Sequence, residues 1–234
     1  MLDDLRQAVC DANRRLTGSG LVTLTWGNVS AIDRGQGLFA IKPSGVDYHR
    51  LTPDDIPLID LDGKQVAGAL RPSSDTPTHL VLYKEFPGIG AICHTHSPAA
   101  TALAQAGREL PCLGTTHADH FCGPVPVVRG LTQAEVDEDY ERWTGLVIAR
   151  HFHQQRIDPL TMPAALQRHH APFTWGVNAD QAVENSIALE MCARMAIDTW
   201  ALEPGTAEIP RHILAKHHRR KHGPDAYYGQ KNRA

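Results

Sequence analysis

The sequence predicts an α/β fold in a single domain over residues 1–234. Segments with helical periodicity alternate with short strand-like segments along the chain, which is the pattern of an α/β protein. No internal repeat, low-complexity block or Gly/Ser-rich linker divides the sequence. With 42% hydrophobic and 21% charged residues, the composition is that of an ordinary globular protein, which can bury a core without disulfide or metal staples.

Helix signals occur in five segments, at residues 2–16, 76–86, 132–153, 178–200 and from 210 onward. In the first, apolar residues recur at three- and four-residue steps, which predicts one buried face. Thr76 followed by proline is typical of an N-cap and the first helical residue. Thr132 and Glu135 form a capping box, and Asn178 gives a similar start to the longest helix.

Strand-like runs broken by Gly and Asp turns predict β-strands within residues 21–40 and 56–66. A further short apolar run, residues 91–93, leads into His94 and His96. Because residues i and i+2 of a strand point to the same face, both imidazoles are expected to reach one ion. The sequence therefore predicts interleaved strands and helices, with a candidate metal site at the end of one strand.

A third candidate ligand is His170, which a strand through residues 166–170 would place on one face with Leu166 and Arg168. Three neutral imidazoles with one open position are typical of a catalytic Zn²⁺ site. His169 is an alternative to His170, and an isolated H-x-H pair is also common in cores and on surfaces. Only a few of the fourteen histidines are therefore candidates for ligands.

Three Gly- or Ser-containing turns are candidates for binding an anionic substrate, because phosphates bind backbone N–H groups at helix starts together with hydroxyls and a cation. Their candidate residues are Gly27, Asn28, Lys42, Ser44, Gly45, Ser73 and Ser74. Each turn taken alone is also an ordinary turn signal. Asp75, beside them, is a candidate fourth metal ligand, a base, or a charge that stabilises a helix start.

Charge and cysteine content exclude several classes of protein. The formal net charge of −3 favours neither nucleic acid nor a polybasic membrane contact, and no apolar run approaches the roughly 18 residues of a membrane span. The acidic start of the chain predicts no signal peptide. Five cysteines without C-x-x-C spacing indicate a reducing compartment, so we expect a cytoplasmic protein.

Seven strings along the chain resemble the class II aldolase/epimerase superfamily. They are TLTWGNVSA (23–31), IKPSGVDY (41–48), PSSDTPTH (72–79), HTHS (94–97), GTTHAD (114–119), HHAPFTWG (169–176) and RKHGPDAYYGQ (220–230). They cover essentially the whole chain in order. The resemblance implies a three-layer α/β/α fold around a mixed, mostly antiparallel sheet, and a homotetramer with sites between neighbouring subunits.

The resemblance also implies roles for particular residues. His94, His96 and His170 match the family's zinc ligands, one Zn²⁺ per subunit, with Asp75 at or beside the metal. Six of the turn residues named above match contacts to a sugar-phosphate substrate, with Lys42 close by, and Asp75 is a further candidate for a substrate contact. Asp119 and Tyr228 match the acid and base, with His217 and Arg220 near the site.

Within that superfamily the strings resemble the epimerases, which implies interconversion of L-ribulose 5-phosphate and D-xylulose 5-phosphate in pentose or arabinose catabolism. Since the C4 hydrogen is not adjacent to the carbonyl, inversion requires retro-aldol cleavage of C3–C4 and re-addition to the other face, with zinc as Lewis acid. The nearest alternative is an aldolase cleaving a ketose 1-phosphate such as L-fuculose 1-phosphate. Such aldolases typically carry Glu at the position of Asp75. A related dehydratase and a non-catalytic interaction module are more distant alternatives.

Overall fold

A computed structural model describes residues 2–224 and 226–228. Its centre is an eight-stranded sheet in the order β4-β3-β2-β1-β5-β8-β7-β6. The strands are β1 (Asn28–Asp33), β2 (Leu38–Ile41), β3 (Leu58–Asp60), β4 (Gln65–Ala67), β5 (Ala91–His94), β6 (Val127–Val128), β7 (Ala164–Gln167) and β8 (Pro172–Gly176). All neighbouring pairs are antiparallel except β6 with β7, which confirms the mixed, mostly antiparallel sheet.

Helices cover both faces of this sheet. They are α1 (Leu2–Gly18), α2 (Thr76–Glu85), α3 (Pro98–Ala106), α4 (Thr115–Ala118), α5 (Gln133–Gln155), α6 (Ala179–Leu202) and α7 (Arg211–His222), with a 3₁₀ turn at Pro53–Asp55. Within residues 2–224 and 226–228, no helix is both long enough and apolar enough to cross a bilayer.

The core divides into two apolar clusters because successive side chains of a strand point to opposite faces. Val29 and Ala40 lie in the cluster under α1 and the start of α6. Phe39, Ile41 and Ile92 lie in the cluster that contains α2, α3 and α5. Two covered faces are what the predicted three-layer arrangement requires.

Helix starts largely follow the sequence signals. The capping box of Thr132 and Glu135 is present, and the Asn178 side chain accepts a hydrogen bond from the Gln181 amide. The N-cap of α2 was assigned wrongly, since Thr76 is already helical and Asp75 is the cap residue. The side chain of Asp75 makes no capping bond, because Asn28 holds its carboxylate instead.

Both strand arguments for the histidines are wrong in detail. β5 ends at His94, and the Ser97-Pro98 start of α3 follows so closely that His96 lies outside the sheet. β7 ends at Gln167, so His170 lies in the turn to β8, where His169 has a positive φ of 64°. The chain nevertheless brings these histidines to one end of the sheet.

Candidate active site

The candidate site lies where several strands begin or end. Asn28, the first residue of β1, pairs with His94, the last residue of β5, and His94 pairs with Phe173 near the start of β8. In an antiparallel sheet the start of one strand lies beside the end of its neighbour. Residues far apart in sequence therefore meet at one end of the sheet, and β2 adds the loop that begins at Lys42.

Three histidines converge at this end. His94, His96 and His170 each offer a ligand nitrogen, and these nitrogens lie within 4.8 Å of one another. The Nε2 atoms of His94 and His96 are 3.2 Å apart. Two nitrogens that share a tetrahedral zinc at about 2.0–2.1 Å lie about 3.3 Å apart, so this spacing fits a common ion.

Hydrogen bonding and protonation also suit metal binding. Nδ1 of His94 donates to the Pro172 carbonyl at 2.9 Å, which leaves Nε2 as the ring nitrogen that can ligate a metal. Burial, together with the neighbouring His94, lowers the pKa of His96 to about 4 and that of His170 to about 3. Both rings are therefore neutral near pH 7, as ligation requires. In the described part of the chain, the buried Nδ1 of His170 has no hydrogen-bond partner.

Asp75 is fixed beside the histidines. Nδ2 of Asn28 donates to its Oδ2 at 2.6 Å and to Oγ of Ser73 at 3.1 Å. Burial raises the pKa of Asp75, but His94, His79 and the Asn28 amide together outweigh burial and hold it below its usual range. The carboxylate is therefore ionised at neutral pH and available to a cation.

The loops at residues 42–45 and 71–75 form a further part of the wall of the cavity that the histidines line. Backbone bonds join them, from the Ser44 amide to the Arg71 carbonyl at 2.9 Å and from the Ser73 amide to the Lys42 carbonyl at 3.0 Å. Gly45 has a positive φ of 70°, which glycine adopts without strain. Ser44 and Ser74 are not buried, so their hydroxyls can reach a ligand.

Lys42 contributes the cation of this wall. Its side chain is almost completely buried, and Nζ lies 4.6 Å from the centre of the Tyr48 ring. Nζ donates to the Pro43 carbonyl at 3.3 Å. Burial lowers the pKa of Lys42 to about 8, so the ammonium is largely charged at neutral pH while being less hydrated than a surface lysine.

These walls enclose a cavity of about 640 Å³. It is lined by every predicted ligand and turn residue, namely Gly27, Asn28, Lys42, Ser44, Gly45, Ser73, Ser74, Asp75, His94, His96 and His170. Tyr140 and Glu141 of α5 also line it, and sequence analysis missed both. The sequence signal near these two residues was Asp139: aspartate is a common N-cap residue, and here it lies in the middle of a helical pattern.

Asp119 and Tyr228 do not line this cavity. Asp119 follows α4 and accepts two bonds from Arg220, Nε to Oδ1 at 2.9 Å and Nη2 to Oδ2 at 2.5 Å, and one from His217 at 3.1 Å. The Arg220 guanidinium lies 4.6 Å from the Tyr228 ring centre. The four residues thus form a second cluster, which we call the Asp119 cluster.

Arg220 and His217 control the charge of Asp119. Burial raises the pKa of this carboxyl, but the hydrogen bonds and charges of Arg220 and His217 outweigh burial and lower it. The carboxylate is therefore ionised near neutral pH and is a proton acceptor, not a donor.

Residues 7–197 match the family described as Class II Aldolase and Adducin N-terminal domain. The chain belongs to this family. It is 50% identical over 230 residues to proteins named L-ribulose-5-phosphate 4-epimerase UlaF from Salmonella paratyphi A and Salmonella typhi, with 98% of this chain and 100% of each relative covered.

Solved structures support the same fold. An L-fuculose 1-phosphate aldolase superposes with a TM-score of 0.78 at 25% identity, over 93% of this chain and 95% of that chain. An L-fuculose-1-phosphate aldolase from Thermus thermophilus superposes with a TM-score of 0.67 at 24% identity, over 88% of this chain and 98% of that chain. The class II aldolase fold is therefore shared between relatives named as epimerases and as aldolases.

Proposed function

We propose that this chain is a metal-dependent L-ribulose-5-phosphate 4-epimerase, which interconverts L-ribulose 5-phosphate and D-xylulose 5-phosphate. The observation that carries this proposal is the convergence of His94, His96 and His170 in a cavity that is also lined by hydroxyls and a lysine suited to a phosphate. Relatives with that name, 50% identical over their full length, support the substrate. We extend the proposal to one domain over residues 1–234, in the cytoplasm, without nucleic-acid or membrane partners, serving pentose or arabinose catabolism.

The three histidines would hold the metal, and Asp75 would ligate it or balance its charge. Imidazole nitrogens in this number favour Zn²⁺, one per subunit. When bound, zinc supplies a Lewis acid that stabilises negative charge on substrate oxygens. Pro172 contributes by holding His94 in the tautomer that leaves Nε2 free.

The phosphate of the substrate would bind the wall formed by residues 42–45 and 71–75. Ser44 and Ser74 offer accessible hydroxyls, Gly45 lets its backbone approach closely, and Lys42 offers a weakly hydrated charge. The sugar would then extend from this wall towards the histidines. Because the aldehyde formed by cleavage carries the phosphate, binding the phosphate keeps this aldehyde in the cavity while its carbonyl group rotates to present the other face.

Asp119 and Tyr228 would carry the protons. As C3–C4 breaks, a base takes the proton of the C4 hydroxyl, giving an aldehyde and an enediolate. After the aldehyde turns, the enediolate carbon attacks its other face and an acid returns a proton to the C4 oxygen. Asp119, which is ionised near neutral pH, would be the base, with Tyr228 as the acid in the same direction.

We further propose that a neighbouring subunit of a homotetramer supplies the Asp119 cluster to each cavity. The support is that neither Asp119 nor Tyr228 lines the cavity of its own chain. Mixing inactive His96→Asn subunits with inactive Asp119→Asn subunits is expected to restore part of the activity, because some mixed sites then hold both intact halves. No recovery after confirmed subunit exchange would contradict shared sites.

The direct test follows D-xylulose 5-phosphate formation from L-ribulose 5-phosphate with a coupled assay. Chelator treatment is expected to abolish turnover, and added Zn²⁺ to restore it. An aldolase acting on L-fuculose 1-phosphate would instead release dihydroxyacetone phosphate, which a second coupled assay detects. Release of this product without epimerisation, or turnover unaffected by metal removal, would overturn the proposal.

A further inference from the structure

Tyr140 lines the cavity but has no role in the proposed reaction. It lies on α5, and its ring centre is 5.9 Å from that of His170. The side chain is about one third exposed, and it forms part of the cavity wall with Glu141. Tyr140 therefore borders the metal side of the cavity, beside His170.

A break in α5 presents this side chain. Asp139 has φ −170° and ψ 91° inside the helix, and its Oδ1 accepts a hydrogen bond from the Arg142 amide at 3.0 Å. Asp139 thus caps a new helical segment that starts at Tyr140. The Thr78 hydroxyl donates to the Glu141 carbonyl at 2.5 Å, which ties the break to α2, the helix that follows Asp75.

The hydroxyl of Tyr140 is free to bind a ligand. Among the described residues, the Tyr140 hydroxyl makes no hydrogen bond. The Tyr140 carbonyl, by contrast, accepts a hydrogen bond from the Thr144 hydroxyl. A phenol is protonated at neutral pH, so this hydroxyl can act as a donor.

We propose that Tyr140 is a specificity-determining residue whose hydroxyl donates a hydrogen bond to the polyhydroxylated half of the bound sugar phosphate. This inference rests on the proposed function, which puts a sugar phosphate in the cavity with its phosphate on the serine-containing wall. The histidine side of the cavity then holds the carbonyl and hydroxyls of the sugar. Tyr140, beside His170, is placed to contact that half.

The test compares two probes, D-xylulose 5-phosphate and inorganic phosphate, by calorimetric titration of the zinc-loaded protein. Losing one neutral hydrogen bond weakens binding by about 3- to 10-fold. Tyr140→Phe is expected to weaken D-xylulose 5-phosphate by this factor and to leave inorganic phosphate unchanged. Trp143→Phe is the matched control, since Trp143 is an aromatic residue one turn further along α5 whose Nε1 donates to Glu138 at 3.0 Å, away from the cavity.

Each outcome separates this inference from the proposed function. An equal loss for both probes, no loss for the sugar phosphate, or a lower zinc content in Tyr140→Phe would overturn the assignment. A wild-type protein that binds both probes without epimerising would refute the proposed function alone, because the Tyr140 comparison uses binding and not turnover. A wild type that binds neither probe would overturn both.

Discussion

Gly27 is expected to set both the stability of the fold and the geometry of the metal site. Its φ is +92°, and a Cβ added there would lie 2.7 Å from the His94 carbonyl oxygen and 3.3 Å from Cα of Thr95. Both atoms belong to the backbone that joins His94 to His96. Gly27→Ala must therefore strain the start of β1, displace the two candidate ligands, or do both.

The size of the effect follows from two terms. A non-glycine residue at such a φ costs about 1–3 kcal/mol, and overlap with a rigid backbone adds about 1–3 kcal/mol. For a chain of this size each 1 kcal/mol lowers Tm by about 2–4 °C, so the summed cost of about 2–6 kcal/mol should lower Tm by roughly 4–24 °C. Zinc affinity, measured by competition with a chelating dye, should fall as well.

Gly37 provides the matched control, because its φ is +65° and a Cβ there meets nothing within 4 Å. Gly37→Ala carries only the backbone term of about 1–2 kcal/mol and lies in the β1–β2 turn, away from the site. Its Tm should fall by only about 2–8 °C, with zinc affinity unchanged. Equal losses of Tm and equal zinc affinity in the two variants would refute the close-approach argument.

Three further outcomes are expected. His96→Ala should lower the zinc content measured by atomic emission with little change in Tm, whereas His94→Ala should also lower Tm because the Pro172 carbonyl loses its donor. Glu135→Gln should destabilise the protein at pH 7. Arg129 and the Thr132 amide lower the pKa of Glu135 from 4.5 to about 2. The ionised Glu135 side chain therefore stabilises the folded protein above about pH 4.5, and this stabilisation is lost as the pH falls towards 2. The difference in urea midpoint between Glu135→Gln and wild type should accordingly vanish near pH 2. Asp119→Asn should speed tryptic cleavage within α7, while Asp137→Asn, at the exposed start of α5, should not.

The sequence predicted the element types well wherever the signal was local. Capping residues such as Thr132 and Asn178 act on amides two or three residues away, so their helices start where expected. Asp139 was a local signal of the break in α5, but the bond from Thr78 that ties the break to α2 is a tertiary contact, which sequence patterns do not contain. The same dependence explains why Tyr140 and Glu141 could not be assigned to the cavity.

The ligand set was predicted for a partly incorrect reason. Strand periodicity was expected to align His94 with His96 and offered His170 as a third candidate, yet two of the three histidines lie in loops. Their convergence depends on the antiparallel register that sets Asn28 beside His94, and single-sequence patterns do not contain register. Resemblance to the family supplied the assignment that periodicity alone left open between His169 and His170.

The charge of Asp119 links the proposed chemistry to the attachment of α7. That helix has no fully buried residue, so its docking depends on polar contacts. Arg220 and His217 bind the carboxylate, and His222 donates to the Asp119 carbonyl at 2.8 Å. Tyr228 in turn lies against Arg220. The same carboxylate that is proposed to accept a proton thus also orients the proposed acid, so protonating it would weaken both functions together. A carboxylate with a lowered pKa is suited to this double use, because it stays charged over the range in which the imidazoles of His96 and His170 stay neutral.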